Sequence, residues 1–236
     1  MLNVQTEGDS ALRAGLLLMY NRVGLFMMRF WLVFALMPAL PLVAADPPNT
    51  LTPAEQQEGY RLLFDGKTLD GWEGGPGLWA VEDGVIVGST VGHSIQNNSF
   101  LISRETFSDF VLQVDIRLEN HNSGIQFRSE ALQDYVVRGY QADAAEGNWW
   151  GSLYGEKTDR GVIVNGWQGK GETVVRPDWN HYEIYCRGKQ IRLTLNGLVT
   201  VELEDDMSSQ GVIALQLHRG PPMRAYFRNI KIKSLR

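Results

Sequence analysis

From Phe110 to Glu119 the chain alternates. Phe110, Leu112, Val114, Ile116 and Leu118 fall on one parity, and Val111, Gln113, Asp115, Arg117 and Glu119 on the other. Successive side chains of a strand point to opposite faces, so this pattern predicts a long strand with one buried face. The same period returns in Tyr182, Ile184 and Cys186 against His181, Glu183, Tyr185 and Arg187, then in Ile191, Leu193 and Leu195, and again in Val199, Val201 and Leu203. Arg187-Gly188-Lys189-Gln190 reads as a turn, and Asn196-Gly197 predicts a tight hairpin because both residues tolerate positive φ. Near the C-terminus Ile213, Leu215 and Leu217, then Ala225 and Phe227, continue the pattern. Ile230 and Ile232 fall on the opposite parity, which predicts a β-bulge at Arg228–Asn229. A strand at Leu62–Phe64 is expected to pair with the one at Phe227–Ile232.

Helical periodicity is nearly absent. Thr52-Pro53-Ala54-Glu55 is a capping-box pattern with proline at the first helical position, and it predicts a short helix ending near Gly59. Many strands with short turns and almost no helix predict an all-β sandwich or jelly roll. Asp143–Lys157 and Gly166–Glu172 alternate poorly, mix aromatics, glycines and carboxylates, and are expected to be irregular loops, where sites on β scaffolds usually lie. Residues 1–45 do not read as part of the fold. Met27-Met28-Arg29 precedes an apolar run from Phe30 to Val43, which ends in Val43-Ala44-Ala45, a secretory signal with a small-residue cleavage site. Translation is expected to start at Met27 or Met28, with export to the periplasm or the medium by a bacterial Sec-type route. The run is short for a membrane span, so no stable insertion of the mature chain is expected. The expected order is a targeting segment over 1–45, a linker and short helix over 46–58, and one jelly-roll domain over 59–236.

Composition narrows the classes. The net charge is −5, and no segment carries a Lys/Arg stripe to neutralise phosphates, which argues against nucleic acid. The single cysteine, Cys186, lies on an apolar parity and reads as a buried, inert thiol. Ser-His-Asp, Walker and dinucleotide motifs do not appear, which argues against esterase, phosphotransferase and dehydrogenase chemistry. Asn97-Asn98-Ser99 fits a glycosylation sequon, which has little meaning behind a bacterial export signal.

A set of short motifs occurs in a telling order: Leu63-Phe64-Asp65-Gly66-Lys67 with Leu69-Asp70-Gly71-Trp72, Trp79-Ala80-Val81-Glu82-Asp83-Gly84, Asn122-Ser123-Gly124-Ile125-Gln126-Phe127-Arg128, Gly139-Tyr140-Gln141, Gly151-Ser152-Leu153-Tyr154, Trp179-Asn180, Leu195-Asn196-Gly197 and Phe227-Arg228-Asn229-Ile230. From about Gly59 to Arg236 the chain resembles the three-keto-disaccharide hydrolase family. The resemblance implies a concanavalin-like jelly roll of two curved antiparallel sheets with sugar on the concave one. It also implies export, and cleavage of glycosides already oxidised to a ketone at C3.

Parity combined with this resemblance places a candidate site. Ile125 and Phe127 take the core side, leaving Gln126, Arg128 and Glu130 on the other face; Gln141 pairs with Asp143, and Gln216 with His218. Trp149, Trp150, Tyr154 and Glu156 would wall the patch, since aromatic faces stack on sugar C–H surfaces and planar polar groups bind hydroxyls. Trp72, Trp79 and Trp179 read as structural. His93, His121 and His181 are weak candidates, as lone histidines are more often surface or core-edge groups. A C3 ketone acidifies the C2 hydrogen, so a base can start elimination at C1 and water can then add back. That route needs a base, here His218 or Asp143, an enolate stabiliser, here Arg128, and an acid, here Glu156 or Tyr154. A divalent cation such as Ca²⁺, held by Asp143, Glu146 and Glu156, is an alternative electrophile. Two other readings stay open. A classical glycoside hydrolase would use two carboxylates, but the Glu-x-Asp-x-x-Glu pattern of jelly-roll glucanases is missing, with Asp143-x-x-Glu146 the nearest fragment. A lectin-like module would bind sugar on the same face without catalysis.

Overall fold

The computed structural model describes residues 47–235; the expected targeting segment lies outside them. Among the described residues the first element is α1 (Pro53–Glu58), whose capping box is complete. Thr52 Oγ1 accepts from the Glu55 amide at 3.2 Å and Glu55 Oε2 accepts from the Thr52 amide at 2.8 Å. Gly59, at φ 87°, closes the helix in the left-handed conformation that favours glycine. Fifteen strands follow: β1 (Arg61–Leu62), β2 (Trp72–Glu73), β3 (Trp79–Glu82), β4 (Val85–Ser89), β5 (Ser99–Phe107), β6 (Phe110–Leu118), β7 (Asn122–Ala131), β8 (Val137–Ala145), β9 (Leu153–Glu156), β10 (Gly161–Val164), β11 (Asn180–Arg187), β12 (Gln190–Leu195), β13 (Leu198–Glu204), β14 (Gly211–Leu217) and β15 (Arg224–Ser234).

They make two antiparallel sheets. One runs β13-β12-β11-β6-β15-β4-β3 with β1 added to β15; the other runs β10-β9-β8-β7-β14-β5-β2. The alternating residues of β6, β11, β12 and β14 meet in one apolar core between the sheets, with Phe110, Leu112, Val114, Ile116, Tyr182, Ile184, Leu193, Ile213 and Leu215 fully buried. Cys186 sits in that core, and burial pushes its thiol up to about 12, so it is unreactive at neutral pH. β1 pairs with the C-terminal strand as Arg61 opposite Ile232. The register of β15 slips between Arg228 and Lys231, with Asn229 at φ 53°, which is the expected bulge.

The middle of the chain is more regular than its pattern suggests. Asp143 belongs to β8 and Leu153–Glu156 to β9, so only residues 146–152 turn between strands. The alternation there is hidden for a physical reason. The core-facing positions Ala142 and Ala144 carry small side chains, while the opposite positions Gln141 and Asp143 are also buried, so polarity no longer reports the face. Gly166–Glu172 is irregular as expected, a kinked helical turn over Trp167–Gly171 leading into Glu172–Val174.

Candidate active site

The outer face of the seven-stranded sheet is divided. Phe100, Ile102, Val137, Val212 and Ala214 form a small apolar cluster over one part. Beside it the sheet opens into a cleft of about 600 Å³, ample for a small ligand. Register explains who lines it. Tyr154 stands opposite Gln141, Gln141 opposite Gln126 and Gln126 opposite Ala214, while Asp143 stands opposite Gly124. Gly124 is required by close approach: a Cβ there would lie 2.6 Å from the Gln141 side chain. Without that Cβ, Gln141 can lie across β7 and reach Gln216 on β14.

The result is a directed chain of buried hydrogen bonds. Ser129 Oγ donates to Gln126 Oε1 at 2.7 Å, Gln126 Nε2 donates to Gln141 Oε1 at 2.7 Å, and Gln141 Nε2 donates to Asp143 Oδ1 at 2.6 Å. Gln141 Nε2 also reaches Gln216 Oε1 at 3.4 Å, and Gln216 Nε2 reaches Glu156 Oε2 at 3.5 Å. Each donor polarises the next, and the two carboxylates are tied through shared amides. The core supports Asp143 from below. The Tyr182 hydroxyl, from the other sheet, donates to the Asp143 carbonyl and accepts from the Gly151 amide at 2.6 Å.

Burial raises both acids. Asp143, 5 % exposed, is pushed up to about 7, chiefly by desolvation; the Gln141 bond opposes this and the Glu156 charge adds to it. Glu156 is raised by desolvation against its Asn98 bond and Lys157. Tyr154 is raised by desolvation and by the Glu156 and Asp143 charges, which makes its phenol a poorer acid. His218 moves the other way. Desolvation holds its imidazole below 6.5, opposed by a bond to the Arg219 carbonyl and aided by the His121 and Arg219 charges.

Several expected site residues lie elsewhere. Arg128 is not in the cleft. A register shift between Phe127 and Glu130 inverts parity, and at φ 47° the chain turns the Arg128 side chain into the rim of the sandwich. There it is fully buried and donates to the Ser108 carbonyl, the Gly188 carbonyl and Asp109 Oδ1, at 2.7, 2.7 and 2.9 Å. The same slip carries Glu130 to the surface, where it pairs with Arg138 at 2.5 Å. Gln126 lies beneath the cleft and acts through Gln141. Trp149 lines the cleft, but Trp150 points into the core and stacks on Tyr182 at 6.3 Å and 11°. Glu146 faces away: its Oε2 accepts from the His121 amide at 2.9 Å. Asp143 and Glu156 therefore bring their carboxylates to the cleft without it, and among the described residues no group of three His, Cys, Asp or Glu side chains is placed to hold a metal ion.

The structure also adds residues that parity missed. Asn97, Asn98, Asn122, Lys157 and Arg219 line the cleft. Asn98 Nδ2 donates to Glu156 Oε1 at 3.1 Å and its Oδ1 accepts from the Arg219 amide at 3.0 Å. No local pattern marks Asn98; the pairing of Leu217 with Ser99 brings it beside His218.

Two antiparallel sheets with a polar, acid-bearing cleft on one outer face define a β-sandwich of the concanavalin-like class. The comparisons agree on the fold. The structure superposes on a protein from Parabacteroides distasonis ATCC 8503, provisionally described as a glycosyl hydrolase, with TM-score 0.61 and 22% identity over 80% of this chain and 100% of that one. It also matches a carbohydrate binding module from Bacillus subtilis (TM-score 0.54, 21% identity, 69% of this chain and 96% of the module) and a Bacillus licheniformis β-glucanase (TM-score 0.51, 12% identity, 75% and 99%). More specifically, residues 59–233 match the 3-keto-alpha-glucoside-1,2-lyase-like domain, and the chain belongs to that family. A stretch of 100 residues is 32% identical to a 3-keto-disaccharide hydrolase of Bacteroides thetaiotaomicron, covering 39% of this chain and 34% of the relative, so the chain spans about a third of that relative's length.

Proposed function

We propose that this protein cleaves 3-keto-glycosides by elimination and rehydration, with His218 as base and Asp143 as acid. His218 takes the C2 proton, leaving an enolate on the C3 oxygen. The enolate collapses, the C1–O bond breaks, and Asp143 delivers its proton to the departing oxygen. Water then adds to C1 of the resulting enone, losing a proton to the Asp143 carboxylate while His218 returns its proton to C2; the free 3-keto sugar forms, the net change is hydrolysis, and both groups regain their starting states. Lys157 and Arg219, the cleft-lining cations, take the enolate-stabilising part that parity had given to Arg128. Family membership supports the substrate class.

The observation that carries the assignment is a buried carboxyl and a half-buried imidazole lining one cleft, whose surroundings shift them in opposite directions. Asp143 sits near 7 while His218 is held below 6.5, so at neutral pH the carboxyl keeps a large share of its proton and the imidazole does not. The sign of the pH dependence follows. Activity needs His218 unprotonated, so kcat/KM rises as pH climbs through a value below 6.5. It needs Asp143 protonated, so kcat/KM falls as pH climbs through about 7. The expected profile on a 3-keto-disaccharide is a narrow bell with its maximum between those limits. A rate that climbs through pH 7 and stays on a plateau above 8 contradicts the assignment, because it makes Asp143 the base.

A further inference from the structure

We propose that His121 is a positioning residue that packs on His218 so that its Nδ1 proton stays on the Arg219 carbonyl and its Nε2 is left bare. The inference starts from the backbone. His121 is at φ 72°, a left-handed conformation uncommon for a residue with a Cβ. Two reciprocal bonds hold it there: its amide donates to Glu146 Oε2 at 2.9 Å, and its carbonyl accepts from the Glu146 amide at 2.8 Å. Strain that is held in place by specific partners points to a role for the side chain it aims.

That side chain meets His218 edge to face, with ring centroids 4.8 Å apart and planes at 87°. His121 Nε2 lies 3.2 Å from His218 Nδ1 and 3.2 Å from the Arg219 carbonyl oxygen. His218 Nδ1 lies 2.6 Å from the same oxygen. A carbonyl oxygen only accepts, so His218 Nδ1 carries the proton. In the neutral ring Nε2 is then the basic nitrogen, and His121 closes the Nδ1 side against any other acceptor or donor. Gly220 makes room for the arrangement, since a Cβ there would come 3.1 Å from His121 Nε2. The titratable and charged groups around His218 are His121 and Arg219 beside it and Asp143, Glu156 and Lys157 in the cleft lining. His121 does not line the cleft, so it acts through His218 and not on the substrate.

That His218 is the base rests on the reading given above; its tautomer does not, and it can be measured without substrate. With 4 histidines in the chain, ¹⁵N-detected imidazole spectra of the full-length protein are tractable. The wild type should show His218 protonated at Nδ1 and bare at Nε2. His121→Asn is the informative variant, because asparagine tolerates the left-handed conformation. It should give His218 a mixture of tautomers and move its titration midpoint up by roughly half a unit to one unit. The acid limb of kcat/KM should move by the same amount. An Nε2-protonated His218 in the wild type overturns the proposal even if the variant fails to fold. So does a folded variant with the tautomer and midpoint of the wild type.

Discussion

Asp143→Asn should remove nearly all activity while making the protein more stable. An amide cannot deliver a proton to the departing oxygen, and loss of a general acid costs on the order of 10²–10⁴ in rate. The fold, however, gains. Asp143 is held up to about 7 when folded against its ordinary 3.8, so the native state keeps the proton longer than the unfolded chain does. The stability it contributes is full below 3.8 and is lost as pH rises through about 7. Asparagine escapes this cost and can still accept from Gln141. One pKa unit is about 1.4 kcal/mol, and part of the shift is shared with Glu156, so the gain is on the order of 1–3 kcal/mol at pH 8. For a domain of this size that is a rise of roughly 2–12 °C in Tm at pH 8, fading toward pH 4. Thermal melts at the two pH values, with turnover measured on the same samples, check both halves. A variant that melts lower at pH 8 shows that Asp143 is ionised and well paired in the native state.

Arg128→Met should do the opposite, destabilising the fold and sparing the chemistry. The Arg128 guanidinium is fully buried and bonds two turns, the Ser108–Asp109 link from β5 to β6 and the Gly188 turn between β11 and β12. Methionine fills much of the volume but leaves the Ser108 and Gly188 carbonyls without this donor and Asp109 Oδ1 with the Gly188 amide alone. Asp109 is 35% exposed, so the cost falls on the two carbonyls left without a donor, about 1–3 kcal/mol each, or roughly 4–24 °C in Tm in all. Below its melting point the variant should keep kcat/KM within about threefold, since loss of an enolate stabiliser would cost on the order of a hundredfold or more. Chemical denaturation and single-temperature kinetics on one preparation decide it. A normal melt with collapsed kcat would return Arg128 to the cleft.

These two residues mark where the sequence was legible and where it was not. The period of two in β6, β11 and β12 was readable because those strands bury one face and leave much of the other partly exposed, whereas β14 is buried on both. Asn196-Gly197 was readable because a two-residue hairpin requires positive φ at both positions, and both have it, at 49° and 89°. On β7 parity held through Gln126 and failed at Arg128, because a bulge inverts the face and no residue type announces it. Glu130 was lost with it, and Trp150 by simple alternation from Trp149. Of the ordered motifs, those carrying Asn122, Gln126, Gln141 and Tyr154 reach the cleft, and others serve the fold. Gly66, Gly84 and Asn229 all gather on Asn49, whose side-chain amide donates to the Gly84 carbonyl at 2.7 Å; the backbone amides of Asn49 and Asn229 each donate to the other's side-chain Oδ1. Asn180 and Asn196 likewise bond each other at 2.8 Å and brace a turn. Asn98 and the His121–His218 contact depend on long-range pairing between strands, which no local pattern carries.

The most direct test of the central claim is a matched pair of substrates. The purified protein is incubated with a 3-keto-disaccharide and with the same disaccharide unoxidised, and free sugar is quantified. Elimination needs the acidified C2 hydrogen, so the keto sugar should be cleaved and the parent left intact, with exchange of the C2 hydrogen for deuterium in the recovered keto substrate or product. Equal cleavage of both, with no deuterium at C2, would mean that Asp143 and Glu156 act directly on the glycosidic bond and would contradict the account.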